Sequence, residues 1–264
     1  MKTLRNRIFQ IRWLPVVLAT LCLLSCGAAT ETDGGSAPKK GYPSLGVGRP
    51  EQAVTEEPAE DNGITICIDP GHGFDDVGCS SDFLTDDREE KDMTLLYANA
   101  LKDKLEFMGF NVILSHDGKS FPQEFNTNQN NLFSADERAA YINTLDVDFV
   151  VSLHCDTFDE DASIGGSRVY YYDTEIKQSG VSSDGISNAI SSCLAEEFPG
   201  AKKPSVHNNQ SYIICRKTTM AASLVEIGFI SNEKDAMNIQ DPEWMEKFIN
   251  GVAAGIHSYY TSIQ

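Results

Sequence analysis

Two histidines and two glutamates stand in this chain where apolar runs begin or end. His72 lies in Ile68-Asp69-Pro70-Gly71-His72-Gly73 and Glu90 in Glu89-Glu90-Lys91-Asp92. His154 lies in Ser152-Leu153-His154-Cys155-Asp156, and Glu226 in Leu224-Val225-Glu226-Ile227-Gly228-Phe229. Two imidazoles and one carboxylate are a ligand set of hydrolytic zinc sites, which keep a further position for water. A second carboxylate beside such a metal completes a general-base site. Each residue alone also has an ordinary reading. A His after a Pro-Gly turn is commonly a loop residue, and a Glu opening a helix favours its dipole. His154 alone could be a satisfied core histidine. Glu226 resists that treatment, because a carboxylate inside Leu-Val-Glu-Ile-Gly-Phe is costly to bury without a partner. Together the four imply zinc-assisted hydrolysis, with the two histidines and one glutamate on the metal and the other glutamate as base.

That chemistry requires elements that bring the four together. Residues 63–69, 111–115, 149–153, 167–172, 211–215 and 223–227 are short apolar or β-branched runs bounded by turn residues, and they read as strands. Between them lie helical stripes. Met93, Leu96, Tyr97, Ala100, Leu101, Leu105 and Met108 recur at helical spacing. Ser134 with Glu137 forms a capping-box pattern opening a helix through Leu145. A third stripe runs from Ile186 to Phe198, and Asp241-Pro242 opens a last helix. The alternation predicts a single α/β domain with a mostly parallel central sheet of about six strands and helices on both faces. In such sheets ligands gather at the carboxyl ends of the strands. His72 follows the first strand, Glu90 starts the first helix one turn before Met93, and His154 and Glu226 close two further strands.

The remaining composition sets the context. Lys2, Arg5, Arg7 and Arg12 precede an apolar stretch over residues 13–24 that is short for a membrane span and fits a signal peptide. It ends Leu23-Leu24-Ser25-Cys26, so residues 1–26 read as a lipoprotein signal ending at a lipidated Cys26, with an ordinary secretory signal as the other reading. Residues 27–62 carry Gly, Pro, Ser, Thr and Glu without apolar periodicity and read as a flexible acidic linker. Residues 63–264 are then one catalytic domain. Net charge is −18, and it becomes −22 once residues 1–25, with four basic and no acidic groups, are removed. Such a surface argues against nucleic acid, and it leaves membrane attachment to the lipid alone. Five cysteines remain (Cys67, Cys79, Cys155, Cys193, Cys215), an odd number that leaves at least one unpaired, and Cys67, Cys155 and Cys215 lie in apolar runs that favour buried free thiols. His257 and His207 read as surface residues, the latter in a loop before the strand at 211–215.

With these motifs in order, the chain resembles the zinc-dependent N-acetylmuramoyl-L-alanine amidases of bacterial cell-wall metabolism, from about Ile64 to Tyr260. The resemblance implies Zn2+ on His72, Glu90 and His154, Glu226 as the catalytic carboxylate, and peptidoglycan as substrate for a monomeric enzyme in the cell envelope. Arg138, in the stretch leading to Ser152-Leu153-His154, and Asp156 are candidates for orienting a ligand or contacting substrate. The chain departs from the family pattern at Cys155-Asp156 and at Ser115-His116, which leaves the roles of Asp156 and His116 open. A zinc peptidase or deacetylase acting on peptidoglycan, or an inactive wall-binding lipoprotein, remains the alternative.

Overall fold

The computed structural model describes residues 57–86, 88–127, 130–173 and 180–264. The expected signal peptide, Cys26 and most of the expected linker therefore lie outside the described residues. Residues 59 and 62, expected at the end of that linker, are pinned to the domain: Ala59 N–H donates to the Phe107 carbonyl at 3.0 Å and Asn62 N–H to the Gly109 carbonyl at 2.9 Å.

Six strands form one sheet: β1 (Thr65–Pro70), β2 (Asn111–Leu114), β3 (Phe149–Asp156), β4 (Arg168–Tyr171), β5 (Ser205–Asn208) and β6 (Ala221–Phe229). Their spatial order is β2-β1-β3-β6-β4-β5. All neighbours are parallel except β4 and β6, which run antiparallel. The helices are α1 (Glu90–Phe107), α2 (Ala135–Ile142), α3 (Ser183–Glu197), α4 (Ile213–Lys217), α5 (Glu233–Ile239) and α6 (Pro242–Ile263).

Strand alternation sends side chains to two cores. Ile66, Ile68, Val151, Leu153, Val225 and Ile227 face one cluster with α1, α3 and α6. Cys67, Val150, Tyr170, Ala222 and Leu224 face a smaller one with Ile142 of α2 and Ile214 and Cys215 of α4. The central strands β3 and β6 are buried on both faces, as a parallel sheet covered by helices requires.

Three sequence expectations need correction. Residues 211–215 are not a strand: Tyr212 caps the short helix α4, which carries Ile214 and Cys215 into the smaller core. His207 belongs to the edge strand β5 rather than a loop. The helix opened by Ser134 stops at Ile142 and not at Leu145, although its capping box is present. His257 is exposed, and among the described residues Cys67, Cys79, Cys155, Cys193 and Cys215 form no disulfide.

Candidate metal centre

The His72 loop is shaped by close approach and stapled to α1. The Thr94 hydroxyl of α1 donates to the Gly71 carbonyl at 2.7 Å, and Lys91 Nζ donates to the Phe74 carbonyl at 2.9 Å. Gly71 lies against the ring of His154, where an added Cβ would come within 2.5 Å of Cε1, so no larger residue fits there. His72 itself adopts φ 64°, a left-handed conformation uncommon for a residue with a Cβ. Backbone strain of this kind collects at functional sites, where the surroundings enforce it.

Glu90 opens α1 and is the hub. Its Oε2 lies 3.3 Å from His72 Nε2, and its Oε1 lies 3.1 Å from His154 Nδ1. The backbone N–H groups of Cys79 and Cys155 donate to the same carboxylate at 2.7 and 2.9 Å. The two imidazole rings meet edge-on, 4.9 Å between centroids. One donor atom from each of His72, Glu90 and His154 lies within 4.8 Å of the other two, a grouping that could hold a metal ion. Burial pushes the Glu90 pKa upward, but hydrogen bonds and charge from His154 and His72 outweigh it and hold the group well below the usual carboxylate range. His72 is raised: burial alone would lower it, and Glu90 and Asp76 more than offset that.

His154 lies within β3 rather than just beyond it, and its register partner on β6 is Glu226. Glu226 is 4 % exposed, and its Oε2 has no hydrogen-bond partner among the described residues. Burial, with repulsion from Asp156 and Glu90, raises its pKa well above the carboxylate range, against opposing pulls from the Tyr212 hydroxyl and Arg168. On β6's other side its register partner is Arg168 of β4.

Arg138 is buried and pairs with Asp69, Nε to Oδ1 at 2.8 Å. The Ser115 and Ser152 hydroxyls donate to the same carboxylate at 2.6 and 2.8 Å, and Arg138 Nη1 donates to the Phe133 carbonyl. Burial raises the Asp69 pKa, and Arg138 with Ser115 overrides it, leaving it lowered. Asp156 sits 3.6 Å from Arg168 at the rim. His116 is buried, with Nε2 2.9 Å from the Pro70 carbonyl and Phe74 packed on its ring, so it braces the strand end before His72.

Sequence reasoning missed three groups that touch the four. Asp76 accepts from His72 Nδ1 at 2.9 Å, and its i+4 position was the available signal. Tyr212 and Arg168 reach Glu226 only through the short helix α4 and the antiparallel return of β4, which no local pattern announces.

The chain is similar to known proteins. The uncharacterised protein YqiI of Bacillus subtilis is 29 % identical over 209 residues, covering 79 % of this chain and 89 % of that one. The N-acetylmuramoyl-L-alanine amidase LytC of Bacillus subtilis is also 29 % identical, over 75 % of this chain, which spans only 36 % of LytC. Among solved structures, the N-acetylmuramoyl-L-alanine amidase from Clostridium difficile 630 superposes with a TM-score of 0.64 and 25 % identity, covering 76 % of this chain and 98 % of that one. A family model described as N-acetylmuramoyl-L-alanine amidase matches residues 66–258, from β1 into α6 and across every element of the site, and the chain belongs to that family.

Proposed function

We propose that this chain is a zinc enzyme that hydrolyses the amide between the lactyl group of N-acetylmuramic acid and L-alanine in peptidoglycan, releasing the stem peptide. The observation that carries the reading is Glu226, a buried carboxyl with an unpartnered oxygen beside three converging metal donors. The donors fit zinc by chemistry, two imidazole nitrogens and a carboxylate oxygen. Asp76 supports that fit, because its hydrogen bond to His72 Nδ1 fixes the ring and leaves Nε2 as the donor. Bound there, Zn2+ would polarise the amide carbonyl and bring the pKa of a water to about 7.

The chain's own groups do the rest. His72, Glu90 and His154 would hold the ion, and Cys79 and Cys155 orient Glu90 through their backbone N–H groups. Glu226 takes the proton of the attacking water and delivers it to the leaving nitrogen, as general base and then acid. A raised pKa suits the second step, since the protonated form must be accessible near neutral pH.

Glu226→Ala should keep stoichiometric zinc and lose at least about 100-fold in turnover, the usual contribution of a positioned base. His72→Ala should lose the metal and the activity together. Metal quantitation beside mass analysis of digested sacculi checks both, and free stem peptide separates this reading from peptidase or deacetylase action. Full activity of Glu226→Ala would end the assignment.

Residues 1–26 and 27–62 are proposed as a lipoprotein signal and tether that place the domain at the cell envelope. If so, the protein recovered from the detergent phase carries a diacylglyceryl group on Cys26, and Cys26→Ala partitions into the aqueous phase. An unmodified wild-type Cys26 would exclude the anchor.

A further inference from the structure

The row of side chains that begins at His154 does not end at Glu226. It continues to Arg168, the register partner of Glu226, and then to Ser205, the register partner of Arg168 on β5. Over these two strands opens a groove of about 530 Å3 lined by Arg168, Tyr170, Lys202, Lys203, Ser205 and His207, among others. Three permanent cations and a histidine thus share one recess, on a chain with 21 basic and 39 acidic residues. Among the described residues no Asp or Glu lines the recess. Lys203 Nζ donates to a hydroxyl, Ser192 Oγ at 3.0 Å. His207 stacks on Tyr170, 5.4 Å between ring centroids, with Nε2 on Ser205 Oγ. Arg168 is held in place by Phe229, whose ring centroid lies 4.4 Å from its guanidinium carbon, and by Asp156 at 3.6 Å.

The direction of the row gives the recess an occupant. Carbonyl polarisation belongs at the metal donors and protonation of the leaving nitrogen at Glu226, so the amine half of the substrate runs from Glu226 across β4 towards β5. Neighbouring strands lie about 4.8 Å apart, so Arg168 and Ser205 stand about 5 and 10 Å beyond Glu226. An extended peptide advances about 3.4 Å per residue, which brings its second and third residues over the recess.

We propose that this groove is a subsite for an anionic peptide, binding carboxylates on the second and third residues of the released stem through Lys202, Lys203 and Arg168. The proposal rests on the amidase reading for its direction. It makes the enzyme sensitive to whether those carboxylates are free or amidated, a specificity that the metal centre alone does not supply.

The test compares two muramyl peptides, one with free carboxylates and one with the same groups as carboxamides. The zinc-loaded full chain is used as wild type, Lys202→Glu/Lys203→Glu and Lys202→Arg/Lys203→Arg. Wild type should prefer the acid form by about tenfold in kcat/KM, mainly through KM, as two partly exposed ion pairs would give. The preference should shrink with added salt, vanish in the charge-reversed variant and return with arginine. Calorimetric titration with the free acidic stem peptide reads the same groove without turnover, and binding should be lost on charge reversal. Equal cleavage of both forms by wild type overturns the subsite and leaves the amidase reading standing. Lysine-dependent peptide binding without cleavage keeps the subsite and removes the amidase reading. Failure of both binding and cleavage removes both. Competition by a glycerol-phosphate polymer through the same lysines, with acid and amide peptides treated alike, assigns the groove to phosphodiesters and overturns the proposal.

Discussion

Glu90 and Glu226 occupy the same end of the sheet and are driven in opposite directions. Glu90 receives two backbone N–H groups and two imidazoles, which favour its charged form over the desolvation that opposes it. Glu226 is given too few partners, and burial beside Asp156 and Glu90 favours the neutral form. The contrast is what a ligand and a proton carrier need from the same functional group. It also has a cost in the metal-free protein. The unfolded glutamate ionises near pH 4.3, and above that point the unfolded chain releases a proton that folded Glu226 retains. Stability contributed at this site therefore declines as pH rises from about 4.3 towards the higher folded pKa. Glu226→Gln removes the titration and should raise the melting midpoint of chelated protein by a few degrees at about pH 7.5, with no gain at about pH 4. Thermal denaturation at the two pH values measures it. An equal shift at both would mean that the carboxyl's charge is not what matters.

At the scale of elements, most of the frame was legible because the pattern was strong. β1, β3 and β6 are runs too apolar to lie anywhere but in a covered sheet, and Asp241-Pro242 and Ser134 mark helix starts that the structure keeps. His72 and Glu90 stand beside element ends, where a turn and a helix start make them visible, whereas His154 and Glu226 lie inside β3 and β6 and meet as register partners. The failures fall where periodicity has no power. Ser-Tyr-Ile-Ile-Cys is a five-residue apolar stretch, and a run that short does not distinguish a strand from a buried helical turn. β5 reads Ser-Val-His-Asn, half polar and at the sheet's edge, so no alternation identifies it. Arg138 illustrates a different limit. Its position was plain and its role was not, because its ion pair with Asp69 joins elements 69 residues apart. The structure makes it a support for the strand ends of β1 and β3. Arg138→Leu leaves Asp69 buried and uncompensated, and should cost about 3–5 kcal/mol of stability. Denaturant titration gives that value, while KM of the folded fraction should match wild type. A changed KM without lost stability would return Arg138 to the substrate.

For the whole molecule, the site is a junction between parts that would otherwise be tied together only by the sheet and the cores. Loop 71–79 arrives from β1, Glu90 from α1, His154 from β3 and Glu226 from β6. An ion held by His72, Glu90 and His154 would therefore act as a cross-link between elements separated by up to 82 positions (His72 to His154). None of those contacts exists in the unfolded chain, so binding and folding are linked. With free zinc at 100 times its dissociation constant, the stabilisation is about 2.7 kcal/mol. For a domain of this size that is roughly 5–11 °C in melting midpoint. The shift should reverse on chelation and be absent in His72→Ala and His154→Ala, whereas Glu226→Ala should keep it, because Glu226 stands outside the donor set. Scanning calorimetry across a zinc titration checks this without reference to turnover. A midpoint indifferent to zinc in wild type, or a shift that survives loss of either histidine, would show that the ion is not held where these three side chains meet.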